Sequence, residues 1–407
     1  MTSAESAAQG LHAKGRPGFG RKATLLFAAT LTIMAGTTIS PSLPAIEAAF
    51  ANVDNVQLLS RMVLTLPALF VAFCAPLIGS LADRYGRLSL LVASILLYGI
   101  SGVSGLFADS LPVLLVGRAA LGIAIGGIMT LVTALVGDYF AGQERERYLG
   151  LQQAFTGLGG VVFVLGGGML ADFHWRAPFA VYALAFAMVP AVILFLNEPR
   201  RFAASAPAAT GRTDAQAHWL PVAALCLLSF LINLSFYVVP SQLPFYLRAI
   251  GTVAPSSAGL ALGLHNLVMA GTALFYGRLR VSFGISAIFA IGLTLMALGF
   301  LLVSVSGTMI SILAAMAICG AGLGIAMPNL MSAAISVATP STRGRVAGTV
   351  AASMFLGHFS SPFASQPWIE ALGYATTFRD AGLGLALLAF VSAAAGLFLS
   401  GSLSHRR

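Results

Sequence analysis

The sequence predicts an all-α integral membrane protein in which twelve transmembrane helices form two pseudo-symmetric six-helix bundles. The 407-residue chain is 58% hydrophobic and only 9% charged, whereas a soluble domain carries about 25% charged residues. Apolar stretches of about 20 residues, long enough to cross a bilayer as helices, recur along the whole chain. Motifs of the first half return at a constant spacing in the second half, as expected of a duplicated unit.

Each apolar stretch is predicted to be a helix, because lipid offers no partner to an open backbone and barrel strands would alternate in polarity. The stretches lie near residues 24–46, 58–81, 88–107, 111–136, 148–171, 176–196, 219–247, 256–277, 283–306, 309–335, 345–370 and 378–400. A polar segment after the sixth stretch divides them six and six. The predicted units are an N-terminal tail 1–22, a first bundle 23–196, a central linker 197–218, a second bundle 219–400 and a C-terminal tail 401–407.

The placement of the basic residues predicts the orientation in the membrane. Of the 22 Lys and Arg residues, all but five fall in the two tails, the linker and alternate loops, and basic residues mark the cytoplasmic face. Both termini are therefore expected to be cytoplasmic, in a multi-pass protein of the bacterial inner (plasma) membrane. The net charge of +9 follows this topology, so the lipid bilayer, and not nucleic acid, is the expected partner.

The internal repeat has an offset of 198 residues. Three groups of residues in the first half obey it, and single matches would mean little in a chain with 44 glycines. The offset relates Gly79, Leu81 and Gly86 to Gly277, Leu279 and Gly284; Gly122 and Gly126 to Gly320 and Gly324; and Arg145, Arg147 and Gly150 to Arg343, Arg345 and Gly348.

A short charged loop joins the second and third stretches. It reads Gly79-Ser-Leu-Ala-Asp83-Arg84-Tyr-Gly86-Arg87, and it resembles the loop between helices 2 and 3 of the major facilitator superfamily. Members of that family move small solutes across membranes by rocking two halves around a central cavity. The resemblance covers residues from about 24 to 400 and implies the same fold here.

The resemblance also implies a gate on the cytoplasmic side. Asp83 is expected to lie against the N-terminus of helix 11, near Arg345, where the helix dipole favours negative charge. Arg87 is expected to pair with Asp138, and both interactions are expected only when the halves are closed on the inside. The alternative is a solvated loop that only directs topology. The gating candidates are Gly79, Asp83, Arg84, Gly86, Arg87 and Asp138; the second-half copy has Val281 in place of Asp83.

Arg118 is the most costly residue of the chain, since a charge near mid-membrane costs about 2.5–3.5 kcal/mol on insertion scales. The spacing Arg118-Ala-Ala-Leu-Gly122-Ile-Ala-Ile-Gly126 resembles the helix-4 signature of the drug:proton antiporter branch. There the arginine is linked to proton movement or to an anionic group of the substrate. The alternative is an arginine that snorkels to the outer surface. Antiporters also carry a Gly-Pro pair in helix 5, and Val162-Phe163 stands there instead, which weakens the prediction of antiport.

Further polar side chains lie near the middle of predicted helices. Histidine changes its protonation near neutral pH, so His265 or His358 can carry a coupled proton; a neutral histidine bonded to the backbone is the alternative for each. Glu47 and Asp54 approach only the outer mouth of the first helix, so the proton carrier stays open. The candidates for the substrate and proton pathway are Arg118, Gln152, Asn233, Tyr237, His265, Asn266, Asn329 and His358.

The resemblance implies a secondary active transporter of a small organic molecule that works by alternating access. We expect proton-coupled efflux by a monomer, of the kind that gives multidrug resistance, with a small-molecule substrate and protons as partners. Proton-coupled uptake of an organic acid is the first alternative, and a non-transporting membrane sensor is a remote one. No enzyme, cofactor or metal site is expected, because the spans show no nucleophile–base set or metal-ligand cluster; Cys74, Cys226 and Cys319 lie singly.

Overall fold

The computed structural model describes residues 18–198, 219–339 and 342–404, with the side chains of all of these except Asp83 and 397–404. Every regular element in these ranges is helical. The spans of the first bundle are α1 (Phe19–Ala49), α2 (Val56–Tyr85), α3 (Arg87–Val103), α4 (Leu111–Tyr139), α5 (Gly142–Phe173) and α6 (Ala177–Phe195). Those that follow are α7 (Trp219–Ala249), α8 (Pro255–Ser282), α9 (Ile285–Ser304) and α10 (Met309–Val337).

The last helical run, Arg343–Ser404, contains two spans. Gly373 interrupts it with φ 80° and ψ 170°, a conformation that glycine adopts without steric cost. A continuous helix of this length would measure about 90 Å, roughly three times the thickness of the hydrocarbon core. We therefore number the two parts α11 (343–372) and α12 (374–404). The predicted fold class of twelve spans is confirmed.

Proline explains the irregular course of α1. Its first helical segment ends at Thr37, a 3-10 turn covers Ser40–Ser42, and Leu43–Ala49 completes the span. Pro41 and Pro44 have no N–H to donate to the preceding turn, so they interrupt the helix and leave carbonyl oxygens without an intrahelical partner.

The internal repeat is visible in the packing. A Cβ added to Gly122 of α4 would lie 2.4 Å from the main-chain oxygen of Pro67 in α2, and one added to Gly320 of α10 would lie 2.4 Å from that of His265 in α8. Pro67 and His265 are themselves 198 residues apart. The crossing of α2 with α4 is therefore repeated as the crossing of α8 with α10, and each needs a glycine because two backbones touch.

The predicted tails and linker largely lie outside the described residues. Where they can be compared, α1 begins at Phe19, one turn before the predicted end of the tail at residue 22. Lys22 donates to Glu144 of α5 at 2.9 Å, and the Arg21 guanidinium lies over the Tyr139 ring, so polar contacts extend the helix beyond its apolar part. At the other end the helix continues to Ser404.

In the described residues of α5 and α8, the two bundles are in contact from one side of the membrane to its middle. We call the side that holds Phe19 and Ser404 the terminal side. Toward the opposite side α5 packs closely on α8: a Cβ on Gly168 would lie 3.2 Å from Gly259 Cα. The contact continues to mid-membrane, where a Cβ on Gly157 would lie 3.3 Å from Ala270 Cβ.

Beyond that point the bundles diverge. Gly150 and Gly277 lie two turns further along α5 and α8, on the same helix faces as Gly157 and Ala270, and a Cβ at either would have no neighbour within 4 Å. The structure is therefore closed on the opposite side and open on the terminal side.

Candidate functional site

Arg118 lies inside the first bundle, with its side chain buried to 1% exposure. Its Nε donates to the Val63 carbonyl at 2.7 Å, its Nη2 to the Ala35 carbonyl at 2.8 Å, and its Nη1 to the Tyr182 hydroxyl at 2.9 Å. The guanidinium thus joins α4 to α2, α1 and α6. The alternative of an arginine that snorkels to the outer surface does not describe this structure.

Two acceptors of Arg118 are carbonyls that their own helices leave free. Val63 precedes Pro67 by four residues in α2, so the N–H that would bond the Val63 oxygen does not exist. Ala35 lies in the last turn of the segment Phe19–Thr37, where carbonyls lack an i+4 donor. Arg118 therefore donates hydrogen bonds to two carbonyls, those of Val63 and Ala35, that have no main-chain donor where α2 and α1 are interrupted.

A second polar cluster lies in the second bundle, between α7 and α11. The Asn233 side chain is fully buried; its Nδ2 donates to the Ser229 carbonyl at 2.8 Å, and its Oδ1 lies 3.0 Å from His358 Nε2. Since the amide nitrogen is committed to Ser229, His358 Nε2 must carry the proton and donate to Asn233. The His358 ring also stacks on Tyr237, with the centroids 4.0 Å apart.

His265 of α8 adjoins this cluster through Phe236, whose ring stacks on it at 5.6 Å. The imidazole is 1% exposed. The main chain of Met316 lies beside it, but neither ring nitrogen makes a hydrogen bond of ordinary geometry. Met316 is the repeat mate of Arg118, as His265 is of Pro67. The pair Pro67–Arg118 of the first bundle thus corresponds to the pair His265–Met316 of the second: a methionine replaces the permanent cation, and an imidazole stands in place of the proline.

The two clusters approach each other where the bundles meet. A Cβ on Gly36 would lie 3.1 Å from the Tyr237 hydroxyl, and Gly36 follows Ala35, whose carbonyl accepts from Arg118. Nearby, a Cβ on Gly160 of α5 would lie 3.7 Å from Asn266 Nδ2. The structure therefore brings together Arg118, Tyr237, His358 and Asn233, with His265 and Asn266 beside them.

Two of the predicted pathway residues do not join this centre in the contacts described. Asn329 is fully buried, donates to the Ile285 carbonyl at 2.9 Å and accepts from the Tyr276 hydroxyl at 3.3 Å. These two hydrogen bonds hold α10 to α9 and α8. The Asn329 amide is therefore bonded within the second bundle. Gln152 of α5 is half-buried, and its Oε1 has no hydrogen-bond partner.

The charged loop on the terminal side contains the expected pairing of Arg87 with Asp138. Arg87 Nη1 also donates to the Ala134 carbonyl at 3.2 Å. Both members belong to the first bundle, and the pair is present although the bundles diverge on this side. The expectation that it forms only when the halves are closed there is wrong, since no residue of the second bundle is needed.

Glu198 is a residue of this loop region that the sequence analysis missed. It follows α6, and its two carboxylate oxygens accept from the main-chain N–H groups of Arg87 at 2.7 Å and Leu88 at 2.9 Å. A carboxylate at a helix N-terminus satisfies free donors and the helix dipole. Gly86 makes this possible, because its φ is 93° and a Cβ would lie 3.3 Å from Glu198 Oε1.

The remaining gating candidates lie on the last turns of α2. Gly79 packs against Thr130 of α4, 3.5 Å from where a Cβ would stand, and the Arg84 guanidinium lies beside the Tyr85 ring. The side chain of Asp83 is outside the described residues. Its predicted contact with the start of α11 therefore stays a prediction.

Two six-helix bundles that enclose a polar centre open to one side define a membrane transport protein. The chain belongs to the Major Facilitator Superfamily, whose family model matches residues 25–362. The predicted family is confirmed, and the protein is a multi-pass membrane transporter and not an enzyme.

Similar proteins include tetracycline resistance proteins and an exporter. The chain is 24% identical over 320 residues to the tetracycline resistance protein of class H from Pasteurella multocida, covering 77% of this chain and 80% of that protein. It is 31% identical over 160 residues to the class C protein from Escherichia coli, and 28% identical over 153 residues to the bacillibactin exporter of Bacillus subtilis. These two matches cover 39% and 36% of this chain and 40% and 37% of the relatives.

Solved structures agree on the fold. A D-xylose–proton symporter superimposes with a TM-score of 0.77 at 16% identity, covering 92% of this chain and 97% of that one. A bacterial homologue of the human lysosomal transporter Spinster, in an inward-facing conformation, gives 0.73 at 18% identity, covering 92% and 94%. At these identities the likeness concerns the fold alone.

Proposed function

We propose that this protein exports small organic molecules in exchange for protons by alternating access, as a monomer in the bacterial inner membrane. The observation that carries this proposal is the polar centre where the bundles meet. A chain of contacts runs from α4 to α11 through Arg118, Ala35, Gly36, Tyr237 and His358. The side chains of Tyr237 and His358 are only half-buried, as a substrate or proton site between the bundles requires.

The direction is argued from charge and from relatives. The basic residues of the tails and alternate loops favour a cytoplasmic terminal side, so the open side would admit substrate from the cytoplasm. Tetracycline resistance proteins and a bacillibactin exporter are among the relatives. Both points support export.

In this mechanism the Tyr237–His358 pair receives the substrate or the proton. His358 donates to Asn233 in its neutral form, and protonation would add a charge that neither Asn233 nor Tyr237 can neutralise. That charge would favour a rearrangement of α7 against α11. His265 is the second candidate carrier, because its ring nitrogens lack ordinary hydrogen bonds. Asn266 and Gln152 would supply polar contacts at the edge of the pathway.

Arg118 takes part through α1. Each of its three nitrogens donates to a main-chain or hydroxyl acceptor. A Cβ on Gly36 would lie 3.1 Å from the Tyr237 hydroxyl, and Gly36 follows the carbonyl that Arg118 bonds. A shift at Tyr237 is thereby transmitted to α1, and the Arg118 bonds tie α1 to α2 and α4. The uptake alternative needs Arg118 as the receptor of an organic acid. Its guanidinium is buried and each nitrogen already donates to a protein acceptor, which does not favour that role here.

The charged loop biases which side is open. Arg87, Asp138 and Glu198 fix the start of α3, while Gly79, Arg84 and Gly86 shape the end of α2. Asp83 would then meet α11 when the terminal side closes. The Arg87–Asp138 pair holds the loop in place in both states and does not itself open or close.

The test is the accumulation of cationic, neutral and anionic compounds in pump-deficient bacterial cells, with and without a protonophore. His358→Gln keeps a donor for Asn233 but cannot take up a proton at physiological pH. We expect the wild type to lower accumulation only while the proton gradient exists, and His358→Gln to lose this gradient dependence. His174→Gln, on the exposed loop before α6, is the matched control and should behave as wild type.

The opposite result is equally informative. Accumulation of one anionic compound that rises with expression would replace export by uptake. Gradient-driven export that is unchanged in both His358→Gln and His265→Gln would remove the histidines from the coupling mechanism.

A further inference from the structure

We propose that Arg61 of α2 and Gln242 of α7 form the gate that closes the side opposite the termini, and are further residues on which transport depends. Arg61 is buried to 1% exposure and Gln242 completely. Arg61 Nε donates to Gln242 Oε1 at 2.8 Å, and this bond joins the two bundles. The inference rests on the proposed alternating access but not on the direction or the substrate of transport.

The charge of Arg61 is neutralised within its own bundle. Its Nη1 pairs with the carboxylate of Glu47 in α1 and donates to the Gln57 carbonyl one turn earlier in α2. A buried cation without such a partner would be strongly destabilising. Because Glu47 and Arg61 lie in the same bundle, this pair can persist when the bundles separate.

Among the described residues, the groups that meet Arg61 across the boundary are uncharged. Besides Gln242, the Phe245 ring lies 3.7 Å from the guanidinium carbon, and the Tyr374 hydroxyl lies 3.4 Å from Nη2. Gln242 is anchored in turn within the second bundle, where its Nε2 donates to Ser365 of α11 at 2.9 Å. Arg61 and Gln242 thus each have hydrogen-bond partners within their own bundle, in addition to the bond between them.

This arrangement suits a contact that must break in every cycle. Separation costs the hydrogen bond to Gln242, the longer one to Tyr374 and a cation–π contact, while no ion pair is pulled apart. A carboxylate at position 242 would change this, because it would form a second ion pair with Arg61 across the boundary. The neutrality of Gln242 therefore sets how readily the gate opens.

The neighbouring contacts show that Arg61 and Gln242 lie on the closed side. Arg248 donates to the Pro44 carbonyl at 3.1 Å, Ser40 donates to the Pro240 carbonyl, and Asp172 accepts from the Ser256 N–H at 3.0 Å. Each of these uses a main-chain group that substitution does not remove. The Arg61–Gln242 bond joins two side chains, so it can be strengthened or removed at one position.

The experiment measures distances between spin labels on the full-length protein in lipid nanodiscs, without substrate or proton gradient. Cys74, Cys226 and Cys319 are replaced first. Labels at Asp54 and Val253, on exposed loops of the two bundles, report the opposite side. Labels at Glu146 and Ser282 report the terminal side.

Two substitutions of Gln242 should act in opposite directions. Gln242→Leu removes the acceptor and should raise the ratio of long to short Asp54–Val253 distances about tenfold, the factor for one hydrogen bond of about 1.4 kcal/mol, while the terminal-side distance shortens. Gln242→Glu should lower that ratio and slow transport. Arg61→Lys keeps the charge beside Glu47 but loses the Nε donor, and should shift the distances as Gln242→Leu does.

Gln57→Leu is the matched control, because the Gln57 side chain is exposed and only its carbonyl contacts Arg61. It should leave both distances unchanged. The proposal is overturned if Gln242→Leu and Gln242→Glu shift the distances in the same direction, if neither shifts them, or if Gln57→Leu acts as strongly. If cells that express the protein export no compound, the proposed function is wrong. The distance measurements do not depend on that result, because they are made without substrate or proton gradient.

Discussion

The link between Arg118 and Pro67 can be tested by restoring the main-chain donor that proline lacks. Arg118→Met keeps most of the side-chain volume and copies the residue that stands at the equivalent position, Met316. It leaves the Val63 carbonyl without its donor. Pro67→Ala supplies an N–H four residues after Val63, so the helix can bond that oxygen itself. We therefore expect Pro67→Ala to rescue the stability of Arg118→Met.

The magnitude follows from the bonds that are lost. The Ala35 carbonyl keeps the Tyr182 hydroxyl, which donates to it at 2.7 Å, so Arg118→Met orphans one buried acceptor, the Val63 oxygen. An unsatisfied buried carbonyl costs about 1–3 kcal/mol. Pro67→Ala also stabilises a helix interior by itself, by up to about 3 kcal/mol. The informative quantity is therefore the coupling energy of the double-mutant cycle, which we expect to be about 1–3 kcal/mol.

The assay is unfolding of the purified protein in detergent, compared for wild type, both single variants and the double variant. Pro76→Ala lies in the same helix and is the matched control; it should show no coupling to Arg118→Met. The reasoning is refuted if the Pro67→Ala coupling is absent, or if Pro76→Ala couples equally. Restored stability without restored transport would show that Arg118 also has a role in the transport cycle.

Three further outcomes are expected. Gly320→Ala places a Cβ 2.4 Å from the His265 carbonyl oxygen and should destabilise the protein by about 1–3 kcal/mol. Gly271→Ala, whose Cβ meets nothing within 4 Å, should not, and thermal unfolding distinguishes the two variants. Glu198→Ala removes the cap of α3 and should lower stability by about 0.5–2 kcal/mol, with faster hydrogen exchange of the Arg87 and Leu88 amides. Tyr182→Phe should cost about 1–3 kcal/mol, since its hydroxyl accepts from Arg118 and donates to Ala35; unchanged unfolding would contradict this.

The sequence is sufficient to predict the spans because their signal is one-dimensional. Hydropathy and a length near 20 residues locate each helix to within a few residues, and a constant offset identifies the repeat. The Arg87–Asp138 pair is predictable as well, since both residues occupy motif positions at helix ends. Charged residues at helix ends on the same side of the membrane can be paired once the order of the helices is known.

The contacts between helices are less predictable because lipid removes the usual signal. A helix in water shows its buried face as an apolar stripe, but here both faces are apolar and packing depends on small residues. Hydropathy gives the depth of Asn329 but not the face on which it lies, so its place between α8, α9 and α10 could not be foreseen. Arg61 belongs to no motif of the sequence, so its contact with Gln242 could not be foreseen either. Tyr182 carries no signal beyond its aromatic ring.

The equivalent positions of the two bundles show why duplication does not make the halves functionally equal. In the first bundle Arg118 accompanies Pro67; its charge is constant, and each of its three nitrogens donates a hydrogen bond. In the second bundle His265 and Met316 stand in place of Pro67 and Arg118, and the imidazole nitrogens have no hydrogen bond of ordinary geometry. A proton can change the charge of the second arrangement and not of the first. Under the proposed function, the first bundle is the fixed frame and the response to protons belongs to the second.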